Sequence, residues 1–287
     1  VKAILIGLCC LIGSGALAAE KPQPRPFAWY RAQYPFMRHM DTTFTQESEL
    51  RWPDGYHRLD SAALTKFQFW MTNLPMWYSG RDAARVAGLA FKAKDISCVV
   101  HLPWRSVRYF DYTIPVQLYL EYCLMRGDTA SFVYLPRAGE TITPATFLSG
   151  SPISYRGQEL KFEPADSRPA SEKELDAMFD LCAKWSDYGV LAKNAEPVDT
   201  SDLRPGDMLI AQKKVPTYGR VFVILNILEN DKGERLYLVG TGDTKPCDFY
   251  IPLANDDKLY PWLTLSQLVG LASDYPTHGF FRFPIDF

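Results

Sequence analysis

The chain has 287 residues, of which 47% are hydrophobic, 14% aromatic and 22% charged, with a formal net charge of −2. That much apolar material fills a substantial core and excludes a disordered chain. The near-neutral balance, without a run of Lys or Arg, gives no electrostatic reason to expect nucleic acid or an anionic membrane surface as a partner.

Lys2 precedes an apolar run from Ala3 to Ile12, and Ala16-Leu17-Ala18 puts small residues where a signal peptidase reads. Residues 1–19 are therefore expected to be a signal peptide, which makes the protein exported, to the periplasm or beyond. The run is about half of the ~20 residues a spanning helix needs, so no integral membrane segment is expected after cleavage. Ile6-Gly7-Leu8 ahead of Cys9 matches poorly the pattern that lipid modification requires, and no lipid anchor is expected. Cleavage would leave Cys98, Cys123, Cys182 and Cys247. An exported compartment permits disulfides, but four cysteines allow three pairings and the spacing selects none. Cys123 and Cys182 fall among apolar residues on predicted helices, where a cysteine behaves as a small buried hydrophobe. Without a CxxC, neither a zinc site nor any other metal or cofactor is expected.

Residues 20–60 read as a linker, EKPQPRP, followed by an irregular arm rich in aromatics (Trp29, Tyr30, Tyr34, Phe36, Trp52, Tyr56) that packs on the domain. Residues 61–287 read as a single domain. Its first helix is placed at Ser61 to Leu74, with Leu64, Phe67, Trp70, Met71 and Leu74 on one stripe and Pro75 as its stop. A strand is expected from Cys98 to Leu102. A helix follows from Pro115 to Arg126, with proline in its first turn and Gly127 at its end. Ser131 to Leu135 reads as a strand, and Gly139 to Pro169, rich in Gly, Pro, Ser and Thr, as a long excursion forming one rim of a cleft. Ser171 and Glu174 form a capping box opening a helix that runs to Trp185.

A block of strands comes next. Arg204-Pro205-Gly206-Asp207 turns the chain into Met208 to Ala211; Val221 to Leu228 is almost wholly apolar, the mark of a central strand buried on both faces. Asn230-Asp231-Lys232-Gly233 turns into Arg235 to Val239, and a short strand follows at Phe249 to Ile251. Thr264 and Gln267 cap a last helix, and Phe280 to Phe283 ends the sheet. The order of helices and strands gives an α+β fold, with helices packed on a central antiparallel sheet.

The chemistry is less plain. The four histidines, His39, His57, His101 and His278, sit in no catalytic motif, and no GxSxG elbow, phosphate loop or HExxH is present. Gly240-Thr241-Gly242-Asp243 follows a strand without opening a helix, which makes it a turn before a phosphate site. Cys98 and His101, three apart on a strand, face opposite sides of the sheet unless the strand is bulged.

Five segments in order carry a resemblance: FQFWMTNLPM from Phe67, Leu120-Glu121-Tyr122, the Arg204-Pro205-Gly206-Asp207 strand start, Gly219-Arg220-Val221, and PCDFYIP from Pro246. Together they resemble the bacterial domain-of-unknown-function family 4846. The layout is also similar, more remotely, to papain-like cell-wall amidases and endopeptidases. Those place a cysteine at a helix N-terminus and bring in a histidine base at the start of a following strand. The resemblance puts Asp111 in the cysteine position and Arg220 in the histidine position. An aspartate cannot be a thiolate, and an arginine cannot act as a base at ordinary pH.

The expectation is therefore a degenerate papain-like site in which Asp111 and Arg220 form a charge-assisted hydrogen bond. The alternative is a helix cap and a strand-end surface charge with no such contact. At the level of function, an exported protein that binds a cell-envelope ligand, with Asp243 and Asp248 as ligand-binding residues, leads. An active envelope hydrolase using Asp111, Asp243 or Asp248 as carboxylates, and a structural or partner-binding envelope protein, stand beside it.

Overall fold

A computed structural model describes Gln46 and residues 50–77, 82–84, 90–91, 95–101, 110–154, 157–213, 218–254 and 260–285. In chain order its elements are β1 (Tyr56–Arg58), α1 (Lys66–Thr72), a small hairpin of β2 (Ala83–Ala84) and β3 (Ala90–Phe91), β4 (Ile96–Val99), α2 (Ile114–Arg126) and α3 (Pro144–Ser149). There follow a hairpin of β5 (Gly150–Ser154) and β6 (Leu160–Pro164), α4 (Glu172–Lys184), α5 (Tyr188–Lys193), β7 (Glu196–Val198) and β8 (Met208–Gln212). The chain then runs through β9 (Gly219–Asn230), β10 (Arg235–Thr241), β11 (Tyr250–Pro252), α6 (Leu265–Gly270) and β12 (Thr277–Arg282). The fold is α+β. Among the described residues, no helix is long and apolar enough to cross a membrane.

The main sheet is antiparallel, in the order β4-β11-β10-β9-β8-β12-β7, with β1 paired to the far end of β9. β9 is its axis, buried without a break from Val221 to Leu228. Val221, Val223 and Leu225 face the main core with α1, α2 and α4, while Phe222 and Ile224 face a second cluster that includes Leu209, Ala211 and Leu268. The pairing with β10 skips Leu225, and this bulge reverses the alternation, so Ile227 joins the second cluster and Leu228 the first. A strand covered on both sides has no polar face to show, which is why its sequence reads as one apolar run.

The helices start where their caps sit. Thr65 and Gln68 make a complete capping box, so α1 begins at Lys66, and Asp60 caps only a short 3-10 turn at Ser61–Ala63. The predicted start at Ser61 is thus too early, and Leu64 lies outside the helix. α2 has Pro115 in its first turn and ends at Gly127, and every residue from Ile114 to Leu124 is buried. Ser171 caps α4 by accepting from the Glu174 amide, but the Glu174 carboxylate turns to Arg168 at 2.7 Å, so only half of the expected box forms.

Other expectations are corrected. Ser131 to Leu135 is no strand: a 3-10 turn ends at Ser131, and only Tyr134 pairs, in an isolated bridge with Ile142. The excursion from Gly139 holds α3 and the β5–β6 hairpin, and the strand expected from Cys98 starts at Ile96 and ends at Val99. Leu50 to Arg58 belongs to the folded body: β1 joins the sheet, Trp262 donates to the Arg51 carbonyl at 2.8 Å, and Gln46 bonds both the Met71 carbonyl and the Asn226 amide. The expected signal peptide, the proline-rich linker and Trp29, Tyr30, Tyr34 and Phe36 lie outside the described residues.

Candidate functional site

Asp111 opens the 3-10 turn Asp111–Thr113 that leads into α2, and Arg220 is the second residue of β9. The fold brings the start of the helix against the start of the strand, where the Asp111 carboxylate is fully buried. Its Oδ1 accepts from the Tyr112 amide at 2.9 Å and from the Tyr188 hydroxyl at 2.6 Å. Its Oδ2 accepts from the Val221 amide at 3.0 Å. Arg220 Nε stands 3.6 Å from the same Oδ2, an ion pair rather than the expected charge-assisted hydrogen bond. The Val221 N–H already holds that oxygen.

The guanidinium spends its other nitrogens on the loop after β10. Nη1 donates to Asp243 Oδ1 and Nη2 to the Gly242 carbonyl, each at 3.1 Å, and the group sits 5.6 Å from the Phe222 ring centroid. The Asp111 amide donates to the Asp243 carbonyl at 3.2 Å, which ties the loop to the start of α2. Gly242 is needed for this approach: a Cβ there would stand 2.8 Å from Ile114 Cδ1 and 3.1 Å from Asp111 Cα. The glycine-rich run at Gly240 thus serves helix–loop packing.

Burial raises the Asp111 carboxyl above its ordinary value, opposed by the Tyr188 hydroxyl, Arg220 and the two amides. Every group that reaches its oxygens is a donor, so the site is built for the anion. Burial and the Asp111 charge push the Tyr188 phenol far up, which keeps its proton in place to donate. For Arg220, burial favours the neutral form, but Asp111 and the Tyr250 phenol outweigh it and hold the guanidinium above its ordinary value. It is a permanent cation. Tyr112, half-buried beside Asp111 and Asp187, is pushed up to about 12, first by burial and then by those charges.

Of the predicted site residues, Asp111, Arg220 and Asp243 come together in one network. Asp248 is buried just ahead of β11. Cys98 lies in the main core while His101 meets Trp77 edge-on at 4.4 Å, with Trp77 against a different cluster, so the two do face opposite ways. The four described cysteines are buried, and burial raises the Cys123 thiol to about 12. Among the described residues, no group of three His, Cys, Asp or Glu side chains gathers to hold a metal. Sequence reasoning missed Tyr188 and Gly242. The only signal for Tyr188 was Asp187, a helix cap whose carboxylate accepts from the Val190 amide.

The sequence pattern of the family described as Domain of unknown function (4846) matches residues 47–280. The chain belongs to that family. The matched stretch of this family 4846 member runs from just after Gln46 to within β12, and it contains Asp111, Arg220, Asp243 and Asp248. No curated protein and no solved structure matches the chain.

Proposed function

We propose that the protein is an exported, papain-like domain of the cell envelope whose degenerate site binds a ligand and does not perform thiol hydrolysis. The observation that carries the reading is the 3.6 Å contact between Asp111 and Arg220, at the positions where the resemblance puts a nucleophilic cysteine and its base. An arginine above its ordinary pKa cannot take up a proton. A fully buried carboxylate, with three hydrogen bonds to its oxygens and Arg220 Nε 3.6 Å from the second, is closed to a substrate or water. Asp111 thus anchors Arg220 and the helix start. The Arg220 side chain, 21% exposed, and the Asp243 side chain, 12% exposed, are parts of the network a ligand can reach.

The test is to incubate the purified protein with soluble peptidoglycan fragments and to read both binding and fragment mass. Binding without cleavage is expected, weakened about tenfold in Arg220→Ala, as fits the loss of one charge-assisted hydrogen bond. Defined cleavage that disappears in Asp111→Ala would replace this reading with that of a carboxylate hydrolase.

A further inference from the structure

The Asp111–Arg220 network is flanked by aromatic rings that its own contacts do not account for. Phe110, directly before Asp111, stacks on Tyr112 with ring planes 6° apart and centroids 5.3 Å apart. Tyr112 in turn meets Tyr188 edge-on at 5.1 Å, and Tyr188 donates to Asp111. Behind this row the chain passes close on the strand side: a Cβ on Gly219 would stand 2.8 Å from the Tyr188 ring. Phe110 is 39% exposed and Tyr218 63%. Phe110 is one of the six large hydrophobic side chains that stand exposed among the described residues, and its stack on Tyr112 sets it at the border of the network.

From this arrangement we infer that the site takes the neutral, hydroxyl-bearing ring of a saccharide, with a sugar face laid on Phe110 and its hydroxyls bonded by Arg220 and Asp243. This inference rests on the ligand-binding reading of the Arg220 site. Two properties favour a sugar over a charged peptide. The Arg220 charge is already matched by Asp111 and Asp243, so the network has no unmatched cation for a ligand carboxylate. A guanidinium and a carboxylate side by side supply both a donor and an acceptor, which is what a hydroxyl needs, since it does both. The Phe110–Tyr112 stack adds a rigid apolar face whose partner ring holds it in place. Such a face suits the C–H side of a pyranose, which is apolar while its rim is polar.

The probes are chitotriose, maltotriose and a stem tetrapeptide without sugar, each titrated into the full chain by calorimetry, with Phe110→Ala, Phe110→Trp and Arg220→Ala as variants. Phe110 lends the turn only its backbone carbonyl, which accepts from Thr113, so both Phe110 variants keep that contact, and circular dichroism checks their fold. Binding of either saccharide is expected, about tenfold weaker in Phe110→Ala and retained in Phe110→Trp. Chitotriose alone would mark an N-acetylated glycan as the source, and both saccharides would mark a general glycan site. Tetrapeptide binding that depends on Arg220 but not on Phe110, with neither saccharide bound, would overturn the sugar inference and leave the ligand-binding reading intact. Saccharide binding unchanged in Phe110→Ala would overturn the aromatic platform. No binding of any probe, nor of larger peptidoglycan fragments, would remove both.

Discussion

Two buried aspartates in this molecule each face an arginine, and they do so in different ways. Asp207 meets Arg282 as a fork: Nε donates to Oδ1 at 2.7 Å and Nη2 to Oδ2 at 2.9 Å, while the Arg204 amide adds a second bond to Oδ2 at 2.7 Å. Arg282 also bonds the Asp202 carbonyl and carboxylate, so the end of β12 is bolted to the turn before β8. Asp111 and Arg220 share no hydrogen bond. Backbone amides and a tyrosine hold the acid, a loop holds the base, and Arg220 Nε makes no hydrogen bond at all. The fork commits four of the five guanidinium N–H groups to the fold. The looser pair leaves the guanidinium bound to a loop rather than locked to its buried acid, and that separates a structural pair from a candidate site.

The comparison breaks first at Arg282. Arg282→Ala leaves the Asp207 carboxylate buried with one amide donor, and should cost about 3 kcal/mol in urea unfolding. Arg220→Ala should cost only about 1 kcal/mol, because Asp111 keeps three donors and Asp243 keeps the Thr244 amide. Equal losses would show that both pairs are structural. The smallest effect is in the pH dependence. Burial raises both carboxyls, so the folded state binds their protons more tightly than the unfolded chain does. That contribution is fully present below the ordinary carboxyl range and is lost as pH rises through the raised values. Asp111→Asn removes one of the two groups, and the fall of the urea midpoint with rising pH should become shallower. An unchanged slope would mean that the donors around Asp111 cancel its burial.

Strands with an unambiguous pattern were legible in the sequence. Val221 to Leu228 could be nothing but a central strand, and the Thr264–Gln267 cap places α6 to the residue. What escaped was structure made by tertiary contact. β1 and β7 have three residues each, too few for a pattern, and exist because β9 and β12 offer edges to pair with. Tyr134 looked like part of a strand because its neighbours Val133 and Leu135 are apolar, yet those two are about half exposed. At the candidate site, the nearness of Asp111 and Arg220, 109 positions apart in sequence, came from a family layout and from no local pattern. The hydroxyl of Tyr188 and the missing side chain of Gly242 complete the network through space, and residue spacing carries no trace of such contacts.

The sheet order also sets a timetable. β12, the last strand described, lies between β8 and β7, so β7 has no strand beside it until β12 arrives. Gln46 reaches Asn226 across 180 residues, and Trp262 reaches the Arg51 carbonyl across 211. Such closures come late, because long loops must be drawn together before their contacts repay the lost entropy. A chain without β12 holds most of its strands but cannot close its sheet. The native sheet is thus completed only once β12 is in place, on a timescale on the order of milliseconds to seconds.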